Sequence, residues 1–237
     1  MKALRFALRT FARELRSGEV LVLLAAVGLA VAALTAVGFL TDRIGKAVAR
    51  QANEVLAADL RLRSQDRVPA EWSRLAADFG LQTAETMTFP SVVFAGDNSA
   101  LSAIKVVGDN YPLRGAVRVS DQLFGEQREV DTVPAPGEVW ADGALLARVG
   151  AVVGDTLSIG ELDLEITAVL TYRPDQSIGF ASLAPSLLMN IDDVDRSGLI
   201  GEGSRVSYAL LVAGDEEAVA EFNVAIDDQL PDSIRIR

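Results

Sequence analysis

From Val20 to Leu40 the chain runs 21 residues without an Asp, Glu, Lys or Arg, and Thr35 is the one clearly polar side chain among them. A helix of that length is about 31 Å long at ~1.5 Å rise per residue, close to the ~30 Å hydrocarbon core of a bilayer. A helix buried in a soluble core seldom reaches this length without a polar face. The run therefore predicts a transmembrane helix over 20–40. The competing reading is a cleaved signal peptide, because Ala47-Val48-Ala49 has the small-residue form of a cleavage site. A signal peptide's apolar region spans only about 7–15 residues, and the same alanines suit a helix that simply continues.

The flanks give the orientation. The whole chain carries −11 over 237 residues, while its first forty carry +3 from Lys2, Arg5, Arg9, Arg13 and Arg16 against Glu14 and Glu19; subtraction leaves −14 for the rest. Basic residues resist translocation, so residues 1–19 are expected in the cytoplasm and the acidic remainder outside it. Arg43, Lys46 and Arg50 reduce the contrast on the far side. Within 2–17, Leu4, Leu8, Phe11 and Leu15 fall on one helical face and the arginines on another. That pattern suits an amphipathic helix lying along the inner leaflet, or simply a basic flank that fixes topology. Inside the span, Gly28, Ala32 and Ala36 recur every four residues. A small-xxx-small ridge lets a second transmembrane helix approach closely, although an alanine-rich run also produces such spacing by chance.

An acidic body excludes nucleic acid as a partner, since phosphates require a basic face. There is no Cys and no His. This removes disulfides, thiolate metal sites, His-based triads and nearly every zinc site. Beyond Leu40 the helical pattern continues to Ala57 through Ile44, Val48 and Val55 with no proline, which predicts a stalk over 41–57 rather than a flexible tether. Short mixed elements follow. Strands are expected at Asp59–Ser64, Ser91–Ala95, Leu101–Val107, Glu138–Trp140, Thr156–Ile159, Leu162–Leu170, Arg205–Ala213 and Ser233–Arg237. Helices are expected after Pro69 as far as Gly80, at Gly143–Val149 and at Glu216–Gln229, while Pro185–Asn190 fits either type. Hairpins mixed with crossovers indicate an α+β extracytoplasmic domain, 58–237, on the N-terminal transmembrane helix and stalk, with 116–200 as a β-rich stretch inserted in it.

The same residues contain near-matches to sites of known chemistry. Gly38…Gly45-Lys46-Ala47 has neither the spacing nor the hydroxyl of a phosphate-binding loop. Asp192-Asp193-Val194-Asp195 places Ser204 where a calcium loop needs its bidentate glutamate, so a solvated helix start is expected there instead. Lys105 is the one lysine beyond the stalk and the only candidate base for a Ser-Lys hydrolase, but the alternation Ala103-Ile104-Lys105-Val106-Val107 predicts an outward strand side chain. No catalytic, cofactor-binding or metal-ligating residue is assigned, and no enzymatic step is expected.

Several segments taken in order carry a resemblance. They are Ala57-Ala58-Asp59-Leu60, Tyr111-Pro112-Leu113-Arg114-Gly115, Pro136-Gly137-Glu138-Val139-Trp140, Ala144–Gly150 and Val153-Gly154-Asp155-Thr156-Leu157. Together with the basic head, single span and stalk, this series resembles the FtsX-like ABC transporter permeases with a MacB-like periplasmic core domain. Ala184–Asn190 and Ser204-Arg205-Val206 resemble more narrowly the YbbP-type permeases linked to lipid-related export. The resemblance implies a bacterial inner-membrane permease subunit. In it a separate cytoplasmic ABC ATPase hydrolyses ATP and the stalk carries the motion to the outer domain. It also implies a homodimer or paired permease in the lipid bilayer, room for a periplasmic partner, and no cofactor of its own. Such permeases carry at least three further spans after the outer domain, so the resemblance implies the N-terminal portion of one. The alternative is a single-span anchored protein whose outer domain binds a ligand or partner, with a membrane-anchored hydrolase as the third reading.

Overall fold

The computed structural model describes residues 19–176, 185–201, 203–227 and 234–236. The expected amphipathic helix at 2–17 lies outside them. The chain divides into two compact units, Met1–Gln51 and Ala52–Arg237.

The first helix, α1, spans Glu19–Leu56 without a break. Its stretch Leu21–Gly45 has a mean hydropathy of 2.5 and is exposed throughout, so it is long and apolar enough to cross a membrane. Thr35 does not interrupt it, because its hydroxyl donates to the Val31 carbonyl one turn back. Gly28, Ala32 and Ala36 follow one another along a single helix face, all exposed, with nothing within 4 Å of where a Cβ on Gly28 would stand.

The second unit holds strands β1 (Leu60–Ser64), β2 (Gln82–Ala95), β3 (Asn98–Val107), β4 (Val117–Ser120), β5 (Arg128–Val130), β6 (Glu138–Asp142), β7 (Thr156–Ile159), β8 (Leu162–Tyr172), β9 (Ser186–Asn190), β10 (Ser207–Ala213) and β11 (Arg235–Ile236). Its helices are α2 (Ala70–Asp78), α3 (Gly143–Val149) and α4 (Glu216–Asp227). All described strands join one mixed sheet in the order β11-β1-β10-β2-β3-β9-β6-β8-β4-β5. Residues 116–200 contribute β4–β9 to that same sheet. Strand β7 pairs with both β2 and β8, so the path β2-β3-β9-β6-β8-β7 closes on itself.

Inside that ring lie Phe89, Val93, Ile104, Val106, Leu157, Ile166 and Leu187, with Leu145, Leu146 and Val149 of α3 among them. The Asp142 carboxylate caps α3 by accepting from the Leu145 N–H at 2.7 Å, and Gly150 ends the helix in the left-handed region. A second core lies where α2 and α4 cover β1 and β10, around Leu62, Trp72, Ala76, Leu210 and Phe222. Alternation in β1 puts Leu60 and Leu62 against those helices and Arg61 and Arg63 on the opposite face.

Four elements differ from expectation, and two of them, β4 and β5, are short strands that the spacing does not predict. Strand β2 begins at Gln82 rather than Ser91, and it tolerates Pro90 because the strand has a second partner only up to Thr88 and again from Val93. The ambiguous segment after Pro185 is strand β9, buried at all five positions in mid-sheet, which erases the alternation that marks a half-exposed strand.

Candidate functional site

Two polar constellations stand out in the second unit. The first begins where α1 ends. Ala57 takes a left-handed conformation, φ 61°, and is fully buried. An alanine there costs on the order of 1 kcal/mol and stops the helix. Its carbonyl accepts the N–H groups of Leu113 and Arg114 at 3.1 and 3.0 Å. Two residues on, Asp59 receives Arg114 as a fork, Nε to Oδ1 at 3.0 Å and Nη2 to Oδ2 at 2.6 Å. The Gly214 N–H donates to Asp59 Oδ2, and Arg114 Nη2 donates to the Gly214 carbonyl. A bidentate guanidinium fixes direction as well as distance, so this clasp holds three chain segments in one geometry. The Ala57–Leu60 and Tyr111–Gly115 segments, 55 residues apart, thus meet in space.

The second constellation is a buried ion node. Lys105 and Asp175 side chains are each 1% exposed, with Nζ 2.6 Å from Oδ2. Lys105 Nζ also donates to Thr86 Oγ1 at 3.0 Å. On the other carboxylate oxygen converge the Tyr111 hydroxyl at 2.8 Å and Arg173 Nη1 at 2.8 Å. Arg61 Nη1 stands 3.7 Å from Oδ2. Burial pulls the Lys105 pKa down to about 8; Asp175 pulls it back up, while Arg61 and Arg173 push it further down. Burial pushes Asp175 up, but Lys105, Arg173 and Arg61 outweigh it and hold the carboxyl below its ordinary value. Tyr111 is pushed well above the phenol range by burial and by the adjacent carboxylate.

The outward position expected for Lys105 is therefore wrong. Its strand face does lie outside the closed ring, but the 108–115 loop and Arg173-Pro174-Asp175 cover that face with a counter-ion in place. The hydroxyl beside it belongs to a buried threonine, Thr86, not to a serine. The Asp192–Asp195 reading also changes. Asp193 is fully buried in a 3-10 turn, where its Oδ2 accepts the Gly137 N–H at 2.8 Å. It holds the 134–137 loop instead of meeting solvent. Among the described residues no group of three or more acidic side chains is placed to hold a metal ion.

Sequence reasoning named Lys105 and the Asp59 and Arg114 motifs, but it missed Asp175, Arg173 and Arg61. The available signal was electrostatic: a lone lysine in an apolar strand requires a carboxylate, and Arg173-Pro174-Asp175 closes the β8 strand.

No protein-family model matches the chain. It is 34% identical over 222 residues to a protein described as "Uncharacterized ABC transporter permease YbbP" of Escherichia coli (strain K12). That match covers 94% of this chain and 27% of the permease, so the chain spans about a quarter of that relative's length. In structure it is similar to the periplasmic region of MacB from Actinobacillus actinomycetemcomitans, with a TM-score of 0.47 and 12% identity over 75% of this chain and 87% of that one. It is similar also to the extracellular domain of the ABC-type transporter YknZ from Gram-positive bacteria, with a TM-score of 0.47 and 7% identity over 75% of this chain and 99% of that one. The sequence similarity to that ABC transporter permease extends over nearly all of this chain's own length.

Proposed function

We propose that this chain is the coupling region of an ABC transporter permease, passing movement driven by a separate cytoplasmic ATPase subunit to an α+β unit outside the cytoplasm. The observation that carries the reading is α1, which holds the apolar stretch and then runs on to Leu56 as one continuous helix. Only three residues beyond it, Asp59 is gripped by Arg114. An unbroken helix resists bending, and a bidentate ion pair at its exit resists slippage, so displacement along the helix is delivered rather than absorbed. The basic residues of 1–19 favour the cytoplasmic side for the N-terminus, and the acidic remainder suits the periplasm. Gly28, Ala32 and Ala36 supply a close-packing ridge for another span, in a homodimer or a paired permease. The cargo class is the lipid-related export that the resemblance implies, and the chain performs no catalytic step of its own.

The test is a Gly-Pro pair in place of Val48-Ala49 within a full-length permease of this type, assayed with its ATPase. Transport is expected to fail while the outer unit keeps its fold by circular dichroism and protease resistance. Normal transport in that variant overturns the rigid-helix reading, and failure of any ATPase to copurify with the permease overturns the transporter reading itself.

A further inference from the structure

The face of β1 turned away from α2 and α4 is basic, in a chain that carries −11 overall. Arg61 and Arg63 are two apart on that face, and Arg63 pairs directly with Arg235 of β11 across the strand gap. Like charges directly opposite one another are destabilising unless something lies between them. Arg61 leads inward to the node, where Arg173 and Lys105 add two more cations. Among the described residues, Arg61, Arg173 and Lys105 share one carboxylate, Asp175, and no ion pair reaches Arg63 or Arg235. Asp59, which adjoins β1, is occupied by Arg114 and Gly214. Among the described residues, Arg63 donates to a neutral hydroxyl, Ser207 Oγ at 2.8 Å. The Nε atoms of Arg61 and Arg173 are buried without a hydrogen-bond partner, and the Arg173 side chain is 9% exposed. Arg63 and Arg235 are exposed at the rim. The face thus has an open basic rim, a half-buried arginine behind it and a floor with unpartnered donors.

We propose that this face binds a phosphate group, with Arg63 and Arg235 as its rim and Arg61 and Arg173 as its inner donors. Guanidinium forks match the tetrahedral oxygens of a phosphate and are less strongly hydrated than ammonium, which suits a set made of four arginines. A dianion between Arg63 and Arg235 converts their repulsion into two charge-assisted bonds. This inference goes beyond the coupling role and does not rest on it.

The same phosphate chemistry is offered by a free anion and by a lipid headgroup, so the experiment has two arms. The full chain is placed in phosphatidylcholine nanodiscs and titrated calorimetrically with inorganic phosphate, and separately with dihexanoyl phosphatidic acid, against chloride at constant ionic strength. Saturable binding of either probe is expected, weakened at least about tenfold in the Arg63→Gln/Arg235→Gln double variant. That variant removes exposed charges only, and its melting temperature without phosphate is expected to equal or exceed that of the wild type. Binding of phosphate alone assigns a free anion; tighter binding of the lipid assigns a headgroup. Heats no larger than those of chloride with both probes, or binding unchanged in the double variant, overturn the proposal.

Discussion

Replacing Asp175 by Asn tests the ion node most directly. The amide keeps the volume and some hydrogen bonding but removes the one negative charge that faces Lys105, Arg173 and Arg61. Lys105 and Asp175 are each 1% exposed, so no solvent rescues the ammonium left behind. Breaking a buried pair from one side costs about 3–5 kcal/mol, because an uncompensated charge stays in a medium of low dielectric. For a unit the size of Ala52–Arg237 this lowers the melting temperature by about 6–20 °C, at ~2–4 °C per kcal/mol. Calorimetry or circular dichroism of the full chain at neutral pH reads the shift. Acid removes the same charge from the wild type. Asp175 titrates below its ordinary 3.8 in the folded state, so its contribution is full above 3.8 and disappears as the pH falls through the folded value. Wild type and Asp175→Asn must therefore converge in strong acid. A second variant, Asp175→Asn with Lys105→Met, removes both members and is expected to recover most of the loss. A shift below ~1 kcal/mol in the single variant, or no recovery in the double, refutes the node as a buried, mutually dependent pair.

Other outcomes follow from the same geometry. Arg114→Gln breaks the fork to Asp59; since these side chains are 35% and 15% exposed, the cost is expected at about 1–2 kcal/mol, and faster hydrogen exchange at the Leu113 and Arg114 amides localises it. Gly160→Ala is expected to cost at least about 2 kcal/mol, read by denaturant midpoint, because φ is +61° and the new Cβ would stand 2.1 Å from the Ser197 carbonyl oxygen. Between pH 8 and 10 the wild type should gain stability as pH rises: buried Lys105 releases its proton near 8, whereas the unfolded chain holds it longer. Lys105→Met should lose that slope in pH-dependent melts, and equal slopes would refute it.

What the sequence reveals here depends on how local the signal is. The 21 residues of Val20–Leu40 are self-sufficient, and α1 contains them. Helix α3 is legible to the residue because its cap, Asp142, and its stop, Gly150, are adjacent in sequence. Strand β9 carries no clear signal because Ser186-Leu187-Leu188-Met189-Asn190 is buried on both faces and keeps no period. The first half of β2, Gln82–Phe89, loses its alternation at the adjacent Glu85 and Thr86 ahead of a proline, and β10, far along the chain at Ser207–Ala213, is the partner that makes it a strand. The node was missed for a related reason. Alternation reports which face of a strand a residue is on; it does not report whether a distant loop covers that face, as the 108–115 loop covers Lys105.

That loop also explains why the two constellations belong to one device. Its Arg114 end is fastened to Ala57 and Asp59, and its Tyr111 hydroxyl reaches Asp175. A strap held by charge at both ends is stiff in a way that an apolar contact is not, since sliding by one ångström already weakens a directed hydrogen bond while it leaves a van der Waals contact nearly intact. Arginine, lysine and tyrosine are costly to bury, and an apolar core of equal volume is often at least as stable. Their presence between the exit of α1 and the wall of the sheet therefore points to fixed geometry, more than extra stability, as what these residues supply.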